Sequence, residues 1–301
     1  MISVCMATYN GVRYIDAQIA SILTQLGDDD ELLICDDSST DGTVELLRTL
    51  DDSRIRLFFG NNFRSPLRNF EFALGRAAGN YLFLADQDDV WLPGKLDLSL
   101  SKMNELERQY GQKLPLLVHT DLQVVDKNLQ PVADSLWQYQ KSDPVAGISL
   151  NRLLSQNPVT GCSVMINAAL RDLALPIPQN AVMHDWWLAL VASAFGKIGH
   201  ISTPALLYRQ HLENDTGAQP WGVCSALGRL GTQRDDMSRL YRQVGAFLER
   251  YCDRLTPSQV ELLEAFATME QAGAIERRRR ILKYRFFYTG LLRNIGRMIL
   301  G

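Results

Sequence analysis

Cysteine is scarce: Cys5, Cys35, Cys162, Cys224 and Cys252 are odd in number, widely spread and never in C-x-x-C spacing. That pattern speaks against a disulfide framework and a thiolate zinc site, and a reducing cytosol fits it. Long apolar runs are missing too, and none could span a bilayer. The chain enters a predicted strand at Ile2 to Met6 without a basic segment and a long apolar stretch, so no secretory leader is expected. Charge of one sign is also lacking: 31 Lys and Arg against 34 Asp and Glu leave a formal net charge of -3. Bulk charge therefore gives no sign of nucleic-acid binding. No internal repeat is visible. What remains is a chain of 301 residues, 46% hydrophobic and 22% charged, long enough for one large domain or a domain plus an appendage.

One segment carries concentrated chemistry. Residues 81 to 91 read Tyr-Leu-Phe-Leu-Ala-Asp-Gln-Asp-Asp-Val-Trp, an apolar run that drives into Asp86, Asp88 and Asp89. The apolar part suits a strand buried on both faces, whose carboxyl end is where open α/β sheets place ligands. Three carboxylates there are costly without a compensating cation. Hard divalent metals prefer such oxygens and commonly bridge them to nucleotide phosphates, so the strand end suggests a metal–diphosphate site. A solvated acidic turn is the plain alternative.

Through about residue 125 short apolar strands alternate with helical stretches, as in βαβ units of a mostly parallel sheet. Strands are predicted at Ile2 to Met6, Glu31 to Cys35 and residues 54 to 59, and helices at Tyr14 to Gln25, Thr43 to Leu50 and Pro66 to Ala78. Parallel strands emerge on one edge, so Tyr9, Asp36 or Asp37, and Asp86 to Asp89 can converge. From about 115 to 210 strands and helices are mixed and broken by prolines; beyond Pro220 the pattern is helical. Its last part is basic, with Arg277 to Arg280, Lys283, Arg285, Arg293 and Arg297. The interleaved Ile281, Leu282, Tyr284, Phe286, Phe287, Tyr288, Leu291, Leu292, Ile295, Met298 and Ile299 are expected to line helices lying on an anionic membrane surface. A helical hairpin packed on the core or a dimer contact is the alternative.

Three motifs now sit at successive strand ends: Ala7-Thr8-Tyr9-Asn10, Cys35-Asp36-Asp37-Ser38-Ser39-Thr40-Asp41-Gly42-Thr43, and Ala85-Asp86-Gln87-Asp88-Asp89. Together they resemble glycosyltransferase family 2, of GT-A fold, over roughly residues 1 to 215, with a helical, basic extension over 216 to 301. The resemblance implies that Ala7 and Tyr9 line the nucleotide base pocket. It makes Asp37 the carboxylate facing the base, with Asp36 its possible substitute. Asp86 would approach the ribose and metal region, and Asp88 would coordinate Mg²⁺ or Mn²⁺ on the diphosphate, while Asp89 is placed as a cap on the following turn. Arg64 and Arg68, by the helix preceding the acidic strand, are candidate phosphate partners, with solvated helix charges as the alternative.

Within Met183-His184-Asp185-Trp186-Trp187, family members carry an acid at a helix start. Asp185 matches it, which implies the general base of an inverting transfer. Trp186 and Trp187 would flank the acceptor sugar, and His184 would line the pocket. A helix N-cap with two core tryptophans is the alternative. Leu207-Tyr208-Arg209-Gln210-His211 resembles the segment after the last catalytic strand, which makes His211 a further metal-ligand candidate. Residues 212 to 220 have the polar composition of a lid.

The run Asp-Gln-Asp-Asp-Val-Trp-x-Pro-x-Lys-Leu, with Trp91, Pro93, Lys95 and Leu96, looks like rhamnosyltransferases of bacterial O-antigen and polysaccharide assembly. By analogy it implies a dTDP-L-rhamnose donor, a saccharide acceptor carried on a lipid, and a cytoplasmic enzyme on the inner face of the membrane. A nucleotidyltransferase would normally show a Gly-rich, basic phosphate loop after its first strand, and Ala7-Thr8-Tyr9-Asn10-Gly11 is no such loop. A non-catalytic sugar-nucleotide or glycan-binding module has no need of both Asp88 and Asp185.

Overall fold

A computed structural model describes residues 1–211, 233–290 and 293–294, with 233–236 as backbone only. The first part alternates β1 (Ile2–Thr8), α1 (Ile15–Leu23), β2 (Glu31–Asp36), α2 (Thr43–Leu47), β3 (Ile55–Phe58), α3 (Pro66–Arg76) and β4 (Tyr81–Asp86). A short β5 (Val90–Trp91), α4 (Lys95–Tyr110), β6 (Leu116–Asp126) and β7 (Pro131–Ala133) follow. Next come α5 (Leu136–Gln140), α6 (Leu150–Leu153), β8 (Val164–Asn167), α7 (Ala168–Ala174), α8 (His184–Phe195) and β9 (Lys197–Gln210). Helices α9 (Gln233–Tyr251), α10 (Pro257–Ala267) and α11 (Ala274–Tyr284) complete the described chain.

Among the described residues the strands form one sheet in the order β3-β2-β1-β4-β8-β6-β9-β5, with β7 beside β6. β1 to β4 pair in parallel, β8 runs antiparallel to both β4 and β6, and β9 pairs in parallel with β6. The mixed sheet and its flanking helices are those of an α/β protein. Alternation along each strand divides the apolar side chains between the two faces. Val4 and Met6 face α1 and α4 in one cluster, whereas Cys5, Leu33 and Leu84 join α3, α7 and α8 in the other. The latter cluster continues without a break into Phe247, Phe266 and Phe286, so the C-terminal helices share the core of the sheet.

β1 and β2 run further than the apolar pattern predicts, because ladder pairing continues through Ala7 with Cys35 and Thr8 with Asp36. The C-terminal expectation needs a larger correction. Ile281 and Phe286, expected on a membrane face, are buried, and Phe286 meets Phe266 edge-on with ring centroids 5.0 Å apart. Several basic residues are also tied locally: Lys283 Nζ bonds Glu261 at 2.8 Å, and Arg280 Nε bonds Glu276 at 2.9 Å. Ile275 and Leu282 are the exposed large apolar residues of α11, at 84% and 57%. The expected lid at 212–220, and Leu291, Leu292, Ile295, Arg297, Met298 and Ile299, lie outside the described residues. No described helix is long and apolar enough to cross a membrane.

Candidate active site

Register puts three strand ends side by side: Ala7 pairs with Cys35 on one flank and with Asp86 on the other. The loops that follow are stitched together. Gln87 Oε1 accepts from Thr8 Oγ1 at 2.6 Å and from Tyr9 N at 2.8 Å, and Gln87 Nε2 returns a bond to Tyr9 O at 2.9 Å. Gly11 lets it lie close, since a Cβ there would sit 2.3 Å from Gln87 Oε1 and push the amide off these bonds. Asn10 N donates to Ser39 Oγ at 2.8 Å, and Asn10 Oδ1 accepts from Thr40 N at 2.9 Å. Asn10 and Ser38 reach these positions at φ 51° and 63°, left-handed values that Asn tolerates better than most residues.

The nucleotide candidates occupy this edge in different ways. Tyr9 is 57% exposed beside half-buried Ala7. Asp36 is buried and accepts from Ser39 N at 2.9 Å and from Ser39 Oγ. Asp37 accepts from Phe63 N at 2.6 Å, which pins the 60–65 loop to the strand end. Arg64 is exposed, with Nε 3.3 Å from Asn62 Oδ1. Arg68 is committed elsewhere: its guanidinium pairs with Glu71 and donates to Ile177 O at 2.8 Å, while Glu71 Oε1 accepts from Ile177 N at 2.7 Å. It clamps the loop before α8, and neither a solvated nor a phosphate-facing arginine describes it.

The acidic turn divides into a buried and an open half. Asp89 is fully buried, accepts from Arg209 N at 3.0 Å, and burial with Asp88 and Asp86 nearby pushes its carboxyl well up. Its backbone partner lies on β9, so it ties β4 to β9 where a local turn cap was expected. Ligating atoms of Asp86, Asp89 and Cys162 lie within 4.8 Å of one another. A buried cation, Lys95, stands at the start of α4, with Nζ 2.6 Å from Cys162 O and 4.7 Å from the Trp91 ring centre; it feels the charges of Asp86 and Asp89 without an ion pair to either. Burial lowers the Lys95 ammonium to about 8, against the pull of Asp89 and Asp86. Asp86 rises to about 7 through burial first, then the charges of Asp88 and Asp185.

The open half is Asp88 with His211, whose Nε2 and Oδ2 atoms are 2.8 Å apart at a partly exposed rim. Two ligands of one octahedral ion with bonds of about 2.1 Å stand about 3 Å apart, so this pair fits Mg²⁺ or Mn²⁺. Such ions are held by one or two protein ligands, with substrate phosphates and water completing the shell. The Asp86, Asp89 and Cys162 group fits less well, because Lys95 already supplies its positive charge.

Asp185 sits in the first turn of α8, where Oδ1 accepts from Trp186 N at 2.6 Å. Burial raises it to about 7, opposed by the backbone N–H groups of Trp186 and Gly161. Two neighbours depart from expectation. Trp187 is fully buried, bonds Ala174 O at 3.0 Å and packs on Phe247 and Tyr251, so it is a core residue and cannot flank an acceptor. His184 is buried against Phe70 with ring centroids 4.0 Å apart, so it does not line an open pocket. Trp186 is half-buried, with Nε1 2.6 Å from Leu153 O.

Sequence reasoning assigned no role to Lys95, Gln87, Tyr14 or Arg209. A lysine in the first turn of a helix that directly follows three carboxylates is the one signal that could have found the first. The others act through backbone and ring contacts that local sequence does not encode.

A family model described as Glycosyl transferase family 2 matches residues 3–111. The Escherichia coli UDP-Glc:alpha-D-GlcNAc-diphosphoundecaprenol beta-1,3-glucosyltransferase WfgD is 34% identical over 113 residues, 37% of this chain and 45% of that protein. The Shigella flexneri dTDP-rhamnosyl transferase RfbG is 27% identical over 228 residues, 71% of this chain and 74% of its own. The chain matches 45%, 46% and 38% of three such curated relatives, less than half of each. The solved Pyrobaculum calidifontis mannosyltransferase PcManGT, in complex with GDP-Man and Mn²⁺, superposes with a TM-score of 0.56 at 16% identity, covering 94% of this chain and 73% of that chain. At that identity it speaks to the fold alone. Residues 3–111 thus carry the glycosyl transferase family 2 match, relatives named as glycosyltransferases extend over more of the chain, and the fold is that of GT-A glycosyltransferases.

Proposed function

We propose that this chain is an inverting glycosyltransferase that moves a sugar from a nucleotide-diphospho-sugar to a saccharide hydroxyl in bacterial surface polysaccharide assembly. The observation that carries it is the arrangement around Asp86: Asp88 and His211 pair at the rim after β4 and β9, while Asp185 at the start of α8 is near enough for its charge to act on Asp86. A metal-binding edge thus adjoins a carboxylate poised to exchange a proton.

Asp185 is the base. A carboxylate near 7 is half ionised at neutral pH and takes a hydroxyl proton with more driving force than an ordinary one. As the acceptor oxygen bonds the anomeric carbon from the far side, the carbon–oxygen bond to the diphosphate breaks and the configuration inverts. A divalent ion, Mg²⁺ or Mn²⁺, held by Asp88 and His211 would neutralise charge on the leaving diphosphate. Ala7, Tyr9 and Asp37 receive the base, while Asp36, fully buried and bonded to Ser39, supports the loop behind them; Asp37 keeps free acceptor capacity beyond its loop bonds, since an ionised carboxylate offers about four lone-pair sites. Arg64, exposed beside the strand edge, is the proposed phosphate partner, and Asp86 the proposed ribose contact. Trp186, half-buried one residue after Asp185, is the aromatic proposed to flank the acceptor.

The proposed transferase unit is residues 1–215, with the described helices α9 to α11 as an extension that packs on it. L-rhamnose from dTDP-L-rhamnose is the proposed donor, supported by the Asp86 to Leu96 run and the name of the Shigella relative. A lipid-linked acceptor is supported by the diphosphoundecaprenol in the name of the Escherichia relative. Such an acceptor calls for a cytoplasmic enzyme resting on the inner membrane face, and α11 offers Ile275 and Leu282 with Arg279 between them.

The test is Asp185→Asn assayed for donor binding and transfer separately. Binding within about twofold of wild type with transfer reduced 10²- to 10⁴-fold is expected of a lost base. Equal transfer in variant and wild type removes Asp185 from the chemistry.

A further inference from the structure

The buried and polar face of α1 has an occupant. Tyr14, Gln18, Ser21 and Gln25 recur at spacings of four, three and four, which places them on one side of the helix and its ends. Three of them grip the acidic loop by its backbone. Gln18 Nε2 donates to Asp86 O at 2.8 Å, Ser21 Oγ accepts from Trp91 N at 3.0 Å, and Gln25 bonds both Leu92 O at 3.1 Å and Leu96 N at 3.2 Å. The fourth, Tyr14, continues the row to the rim. Its ring centre lies 4.9 Å from that of His211, tilted by 31°, and 4.6 Å from Arg209 Cζ. Arg209 in turn donates through Nε to Asp88 O at 2.6 Å and through its other guanidinium nitrogen to Lys127 O at 2.9 Å.

We propose that Tyr14 is a positioning residue: its ring sets the His211 imidazole and the Arg209 guanidinium so that His211 and Asp88 meet, and it couples metal binding to the first strand–helix loop. It rests on Asp88 and His211 as the metal ligands. His211 lies one residue beyond the last sheet pairing of β9, Asp126 with Gln210, so ladder hydrogen bonds do not orient its ring. Contact with an aromatic face and a bond to Asp88 help to orient it. A ligand held in place before the ion arrives loses less rotamer freedom on binding, and groups that orient a ligand commonly change metal affinity by about 10- to 100-fold. Tyr14 N also bonds Gly11 O at 3.0 Å, in the loop that carries Tyr9 and Asn10. A nucleotide that orders this loop therefore orders Tyr14, and by linkage Mn²⁺ and nucleoside diphosphate strengthen each other's binding.

The experiment measures Mn²⁺ binding by electron paramagnetic resonance for the full chain, without turnover, in wild type, Tyr14→Phe, Tyr14→Leu and Asp88→Ala. Tyr14→Phe keeps the ring and is expected to match wild type; Tyr14→Leu is expected to bind Mn²⁺ about 10-fold more weakly, with the melting temperature within a few degrees of wild type. The enhancement of Mn²⁺ binding by UDP or dTDP should shrink in Tyr14→Leu and survive in Tyr14→Phe. Tyr14→Met, a flexible side chain of similar bulk, replaces Tyr14→Leu if the latter does not fold. Wild-type affinity in Tyr14→Leu, or equal loss in Tyr14→Phe, overturns the ring's role while a loss in Asp88→Ala leaves the metal site standing. Wild-type affinity in Asp88→Ala overturns the metal site itself, and the role of Tyr14 with it.

Discussion

Lys95 explains how a strand can end in three carboxylates and still fold. Its ammonium is buried against Cys162 O and the Trp91 ring and acts on the charges of buried Asp89 and half-buried Asp86. Removing it leaves buried negative charge uncompensated, so Lys95→Met should cost about 3–5 kcal/mol in chemical denaturation. An unchanged midpoint would show that those carboxylates are neutral without it. The buried histidines make a second residue-scale prediction. Neither ring nitrogen of His119 or His184 has a hydrogen-bond partner among the described residues, and burial lowers both to about 3, well below the usual value near 6.5. The unfolded chain therefore binds protons that the folded chain refuses between pH 6.5 and 3. Their contribution is present above that window and falls by about 1.4 kcal/mol per pH unit for each histidine as pH drops through it. His119→Leu should flatten the acid side of a stability–pH curve; an unaltered slope would mean the ring is already charged or hydrated. Asp185 shifts the other way, and activity should fall below about pH 7 as its carboxyl takes up the proton.

At the scale of elements, much of the fold was legible and the reasons are local. Strands β1, β2 and β4 carry alternating or continuous apolar runs, and their acidic or polar ends mark the edge proposed to bind donor. Trp187 was misjudged because adjacent helical residues point about 100° apart, so the two tryptophans do not both face one cleft. Here Trp187 meets Phe247 and Tyr251 of α9. Trp187→Ala should cost about 3–5 kcal/mol and loosen α9 together with α8, seen as faster amide exchange in both. Exchange confined to α8 would contradict a shared core. The basic stretch of α11 was ambiguous for a similar reason: an apolar stripe reads the same whether bilayer or protein covers it. For Ile281 and Phe286 the cover is α10, a partner far enough in sequence that periodicity cannot name it.

At the scale of the molecule, the transferase unit and its helical extension cannot be separated by simple truncation, since Phe286 belongs to the core. Membrane contact is tested instead on the exposed side of α11. Ile275→Ser combined with Leu282→Ser should leave the melting temperature unchanged and lower sedimentation with anionic vesicles; equal sedimentation would remove α11 from any membrane role. The central claim is the transfer itself. It is tested most directly by assaying the purified protein with Mn²⁺ or Mg²⁺ against a panel of nucleotide sugars and a lipid-diphosphate saccharide, with Asp88→Ala and Asp185→Asn alongside. The account predicts turnover of one donor, dTDP-L-rhamnose, with inverted anomeric configuration and loss in both variants. A retained configuration, or turnover that survives both substitutions, would contradict it.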